Sequence, residues 1–166
     1  MIQYPRLLRR AELSMALSEK QLQIMRFPYS QYDAIVCDGA VRAGKTSVMA
    51  LSFVLWAMGN FNNQSFAICG KSVGAVTRNI LNPLLNIRYL QDQFEIKYHR
   101  SDHLLVVRRG QKVNQFYFFG GKDESSYALI QGMTLAGVML DEVALMPRSF
   151  VEQALARCSV GLGRQP

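Results

Sequence analysis

Cysteine is scarce in this chain: Cys37, Cys69 and Cys158 are the only three among 166 residues. They lie far apart, with no CxxC pair and no histidine at metal-ligand spacing. That excludes a disulfide framework and a zinc site, and points to reduced thiols in a cytosol-like compartment. His99 and His103 are the only two histidines, and no carboxylate or cysteine beside them completes a metal site. Acidic residues are also few, 12 against 19 basic ones, for a net charge of +7 and a pI near 9.6. Such a balance favours acidic partners, nucleic acid first among them. Long hydrophobic runs are absent too: the longest, Val48 to Met58, contains Ser52 and is too short to span a membrane. The basic start (Arg6, Arg9, Arg10) runs into Ala11-Glu12-Leu13 without an apolar core of signal-peptide length. A soluble, intracellular protein without membrane contact is expected.

What is present is apolar substance and one strong motif. Hydrophobic residues make up 49% of the chain, enough to exclude disorder and to fill the core of one domain. Gly39-Ala40-Val41-Arg42-Ala43-Gly44-Lys45-Thr46 fits G-x-x-x-x-G-K-[ST], the phosphate-binding loop or Walker A motif. Its glycines let the backbone curl so that several N–H groups converge on phosphate oxygens. Lys45 supplies charge to the terminal phosphates, the Thr46 hydroxyl a ligand to Mg²⁺, and the following helix its N-terminal partial charge. The context agrees: Ala34-Ile35-Val36-Cys37 reads as a short buried strand, and a helical pattern opens at Lys45. The competing reading is a Gly-rich turn that matches by chance.

Residues 1–17 read as a basic arm or short helix. Leu17-Ser18-Glu19-Lys20-Gln21 opens a helix, with Ser18 as N-cap and Gln21 at the capping-box position, and Phe27-Pro28 closes it. Gln21 therefore has two readings, a capping side chain or an amide that reads an adenine edge. Past the loop, Val48 to Met58 is apolar on nearly every face, as in a helix buried beside a sheet, and Gly59-Asn60 stops it. Ser65 to Cys69 is a second strand closed by Gly70. Val73, Val76 and Ile80 are at helical spacing over Lys71 to Leu81, and Asn82-Pro83 kinks or ends that helix.

The period then changes to two. Phe94, Ile96 and Tyr98 alternate with Glu95, Lys97 and His99; Leu104 to Val107 and Val113 to Phe119 follow. The pattern predicts two or three antiparallel strands with a basic turn, closed by Gly120-Gly121. Lys97, Arg100, Arg108, Arg109 and Lys112 are candidates to meet a phosphate backbone, but the plainer reading, an edge hairpin protected by charge, stands first. Leu135 to Leu140 is an apolar strand ending in Asp141-Glu142, the Walker B pattern. Asp141 would contact Mg²⁺ and Glu142 would polarise the water that attacks the terminal phosphate. A solvated acidic turn is the alternative. Phe150, Val151, Ala154 and Leu155 after Pro147 predict one more helix.

The run Gly120-Gly121-Lys122-Asp123-Glu124, then Ile130-Gln131-Gly132-Met133-Thr134-Leu135-Ala136-Gly137, resembles the ATPase domain of the terminase large subunit of tailed phages and prophages. So do Leu140-Asp141-Glu142-Val143-Ala144-Leu145-Met146-Pro147, Phe150-Val151-Glu152-Gln153-Ala154, Arg157-Cys158-Ser159, the opening Leu17 to Gln21 and Arg42 inside the loop. The resemblance covers about residues 15 to 159. It implies a P-loop NTPase fold, a three-layer α/β/α arrangement with a mainly parallel sheet and an antiparallel hairpin insertion. It also implies an ATP- and Mg²⁺-dependent motor that drives double-stranded DNA into a capsid, in the cytoplasm of a bacterial host. Partners by resemblance are the portal protein, the small terminase subunit and further copies of the chain in a ring. Carried over by position, Lys45 and Thr46 bind phosphate and Mg²⁺, Asp141 is the second Mg²⁺ partner, Glu142 is catalytic and Gln21 contacts adenine. Arg42 would stabilise transition-state charge or couple to the next subunit, against a reading as a solvent-facing cation. The family continues into a strand carrying an ATP-coupling motif and then a nuclease domain; neither is found here. Residues 160–166 form a short non-matching tail after an ATPase domain at 18–159, so a C-terminally truncated and incomplete sheet is expected. Two other functions stay open: another nucleic-acid-dependent ATPase of helicase type, and a nucleotide-binding relic without turnover.

Overall fold

The computed structural model describes residues 17–38, 44–122 and 124–159. The expected basic arm (save Leu17), loop residues 39–43 including Arg42, and the tail at 160–166 lie outside the described residues.

Helix α1 (Glu19–Arg26) starts where the capping pattern places it: Ser18 is extended, its Oγ accepts from Gln21 N (3.3 Å), and Gln21 Oε1 accepts from Ser18 N (2.9 Å). Pro28 then lies in a 3-10 turn over Phe27–Tyr29. Helix α2 (Lys45–Asn60) buries Val48, Leu51, Val54, Leu55 and Met58, each worth on the order of 1.5–3 kcal/mol. It is apolar all round because it is sandwiched. The sheet, α1 and the helical stretch after the next strand all pack against it, and that stretch also packs on the sheet. That strand is β1 (Ser65–Gly70). The helical stretch comprises α3 (Val73–Val76), a π turn (Thr77–Leu81) and α4 (Asn82–Leu85). Pro83 thus does not end the helix; the wider turn before it absorbs the missing N–H and the crowding of its ring. A short α5 (Arg88–Gln93) leads into three antiparallel-linked strands, β2 (Glu95–His99), β3 (Leu104–Arg109) and β4 (Lys112–Gly120). Gly110, at φ +58, supplies the left-handed residue that the two-residue β3–β4 turn demands. Helix α6 (Glu124–Gln131), β5 (Gly137–Leu140), a 3-10 turn (Val143–Leu145) and α7 (Arg148–Ala156) complete the order.

The sheet runs β2-β3-β4-β1-β5, with β4, β1 and β5 parallel. The antiparallel strands extend the same sheet, because β4 pairs with β3 on one edge and β1 on the other. Alternation along the central strands makes the three layers. Phe66, Ile68, Phe116 and Phe118 face the α2 side, where the Phe66 and Phe116 rings stack at 5.1 Å. Ala67, Cys69 and Phe119 face a second core with Ile130 of α6 and Phe150 and Ala154 of α7. Asn114 is fully buried within β4, yet satisfied: its Nδ2 donates to the carbonyls of Ala57 and Phe61, and its Oδ1 accepts from Gln64 N. It ties the end of α2 to the start of β1.

One expected element is absent. Residues 34–37 form no ladder, and Val36 is 89% exposed. A short apolar run becomes a buried strand only when neighbours pair with it and cover it. The sheet ends at β5, and among the described residues no strand stands beside 34–37.

Candidate nucleotide site

The carboxyl ends of β1 and β5 and the amino end of α2 meet at one edge of the sheet, where open α/β folds hold ligands. Gly44 is the N-cap of α2 at φ +67, a conformation that strains any other residue, and a Cβ there would stand 3.0 Å from Gln21 Nε2. Val48 N donates to Gly44 O (3.2 Å), fixing the first turn in which Lys45 and Thr46 sit. On the facing strand, Asp141 N donates to Cys69 O (2.8 Å), so the chain stays in line with β1 for one residue past β5. That brings Asp141 to Thr46: Thr46 Oγ1 donates to Asp141 Oδ1 at 2.9 Å, across 95 residues of sequence.

Glu142 follows at φ 53 and ψ 46, a left-handed conformation that costs a non-glycine residue on the order of 1 kcal/mol or more. It turns the chain sharply out of the sheet, its carbonyl accepts from Leu145 N (2.8 Å), and its side chain is exposed. The Cys37 thiol lies above its usual range because burial disfavours the thiolate; the nearby Lys45 ammonium pulls the other way. The segment before the loop therefore passes close to the start of α2. The Cys69 thiol, buried in the second core, is held far above its usual range by desolvation.

Gln21, Gly44, Lys45, Thr46, Asp141 and Glu142 are thus gathered at one edge, while Gly39, Ala40, Val41, Arg42 and Ala43 lie outside the described residues. The Thr46 hydroxyl and the Asp141 carboxylate are hard oxygen donors a hydrogen bond apart, a set that suits Mg²⁺. That ion takes one or two protein carboxylates and fills its shell with phosphate and water. Among the described residues no group of three or more His, Cys, Asp or Glu forms a metal cage. The basic hairpin is partly spent on structure. Lys112 Nζ donates to Gly59 O (3.1 Å) at the end of α2, and Arg109 lies 5.8 Å above the Phe94 ring, while Lys97, Arg100 and Arg108 are exposed.

The profile described as "Terminase large subunit, T4likevirus-type, N-terminal" matches residues 36–166. The chain belongs to the terminase large subunit family. Among solved structures, the large terminase of a thermophilic bacteriophage superposes with a TM-score of 0.82 at 52% identity, over 88% of this chain and 37% of that one. The same terminase in complex with ATP-gamma-S gives a TM-score of 0.76 at 49% identity, over 86% of this chain and 35% of that one. A Thermus phage large terminase ATPase domain shares the fold at 18% identity and a TM-score of 0.63, over 87% of this chain and 61% of that one. The terminase chain thus spans 37% of the length of the thermophilic phage protein. No curated protein matches it. Among the described residues, no helix is long and apolar enough to cross a membrane.

Proposed function

We propose that this chain is the ATP-hydrolysing part of a terminase large subunit, a motor that drives double-stranded DNA into a capsid in the cytoplasm of a bacterial host. The observation that carries the reading is the Thr46–Asp141 contact of 2.9 Å, which joins the phosphate-loop helix to the acidic strand end. Solved complexes of the thermophilic phage terminase with ADP and with ATP-gamma-S, at 51% and 49% identity to this chain, support a nucleotide as the ligand. In this reading Lys45 meets the terminal phosphates and Gln21 the adenine. Thr46 and Asp141 would hold Mg²⁺, which neutralises charge on the phosphates when bound. Glu142, turned out at the strand end, accepts a proton from the attacking water. Arg42 stabilises charge in the transition state or couples to a neighbouring subunit. Portal, small subunit and further copies of the chain are the partners.

The roles separate by mutation. Lys45→Ala is expected to lower affinity for a fluorescent ATP analogue, whereas Glu142→Gln keeps binding and loses turnover by roughly a hundredfold or more. If Glu142→Gln abolished binding while Lys45→Ala left it intact, the assignment would be wrong.

A further inference from the structure

Glycine weakens a strand, because it brings no side chain to pack and loses the most backbone freedom on ordering. Gly137, the first residue of β5, does not use glycine's dihedral freedom: among the described residues only Gly44 and Gly110 are glycines at positive φ. What it supplies is space. A Cβ at Gly137 would stand 2.9 Å from Trp56 Cζ3, 3.1 Å from Trp56 Cη2 and 3.2 Å from Phe53 Cε2, all on α2. Carbon atoms pack at about 3.5–4.0 Å, so an added methyl has to displace the ring or the helix by roughly 0.5–1 Å. The ring has little room to give. The Phe53, Phe61 and Phe66 rings lie 5.7, 5.0 and 5.9 Å from that of Trp56, centre to centre. Phe66 is also the residue paired with Gly137 across the β1–β5 ladder.

The far end of the same two elements is the nucleotide site. Side chains alternate along a strand, so positions 137, 139 and 141 share the face toward α2. Gly137 lies against Trp56, Met139 is buried in the α2-side core, and Asp141 Oδ1 accepts from Thr46 Oγ1 at 2.9 Å. From Thr46 to Trp56 the helix rises about 15 Å, and from Gly137 to Asp141 the chain advances about 13 Å. Helix and strand are thus held at two points of nearly equal spacing. One is the hydrogen bond between the candidate Mg²⁺ ligands; the other is an indole ring seated on bare backbone. Mg²⁺ demands near-ideal octahedral geometry, and the short Thr46 side chain cannot follow a displaced helix. Lys45, on its flexible four-carbon stem, can.

We infer that Gly137 and Trp56 are positioning residues of the nucleotide site: their close contact sets the spacing of α2 and β5, and with it the distance from Thr46 to Asp141. This role rests on the reading of those two side chains as Mg²⁺ ligands.

The test measures the affinity of a fluorescent ATP analogue with and without Mg²⁺ in the wild-type chain, in Gly137→Ala and in Gly137→Ala/Trp56→Phe, with a thermal melt of each. Phenylalanine lacks the Cζ3 and Cη2 atoms that the new methyl would strike, so the double variant returns the space. In Gly137→Ala the Mg²⁺-dependent gain in affinity is expected to fall about tenfold, while the Mg²⁺-free affinity stays within about twofold of wild type. In the double variant the gain recovers to within about threefold of wild type. A loss that is equal with and without Mg²⁺ is what general destabilisation gives, and it overturns the proposal. So does a wild-type gain in Gly137→Ala, or a folded double variant without the gain. If Gly137→Ala does not melt cooperatively, the double variant decides alone: a cooperative melt with the gain restored supports the positioning role, and any other result overturns it. A wild-type chain with no Mg²⁺-dependent gain is a separate failure, that of the nucleotide reading, and the positioning role falls with it.

Discussion

Two demands meet on the amide of Gln21. Its oxygen accepts from Ser18 N and so closes the capping box of α1, while its nitrogen faces Gly44 at the start of α2. The capping and adenine readings are therefore not exclusive, because they use opposite ends of one group. Gln21→Glu separates them. A glutamate still closes the box, so unfolding stability is expected to hold within ~0.5 kcal/mol. Nucleotide affinity is expected to fall about three- to thirtyfold, the worth of one or two hydrogen bonds. Chemical denaturation and an ADP titration on the same variant read both. A variant that lost stability but kept its affinity would leave Gln21 as a cap alone.

Among the elements, those fixed by local chemistry were legible and those fixed by distant partners were not. The Ser18 cap, the all-apolar α2, the alternation of β2 and the strand ending at Asp141-Glu142 all carry their cause within a few residues. Segment 34–37 does not. Its sequence is that of a buried strand, but pairing depends on a neighbour no local pattern can reveal, and Val36 stands 89% exposed. Helices α5 and α6 are short and were hidden for the same reason: their burial comes from what they pack on, not from a long period. Asn114 reads as an ordinary polar position in an alternating strand, yet three backbone groups make it a buried tie. The strand question can be decided by stability. Val36→Lys is predicted to change unfolding free energy by no more than ~0.5 kcal/mol, and Phe66→Ala, at the centre of β1, to cost about 3–5 kcal/mol. A loss of several kcal/mol in Val36→Lys would place 34–37 inside a sheet.

For the molecule as a whole, the decisive event is closure. Residues 95 apart in sequence, Thr46 and Asp141, become hydrogen-bonded because α2 packs on the strands and β5 pairs with β1. The two nucleotide motifs were each readable in the sequence, and a shared Mg²⁺ was expected of them; the contact that joins them was not legible, since it depends on the parallel β1–β5 register. That register sets Cys69 opposite Leu140 and leaves Asp141 as the next residue, bonded to Cys69 O and facing Thr46. If this closure makes one Mg²⁺–nucleotide site, the ion's contribution to binding must run through Asp141. The measurement is the affinity of a fluorescent ATP analogue with and without Mg²⁺, in the wild-type chain and in Asp141→Asn, which keeps an acceptor for Thr46 Oγ1 while removing the charge. The prediction is a clear Mg²⁺-dependent gain in the wild type that is largely lost in Asp141→Asn. An equal gain in both would contradict the site.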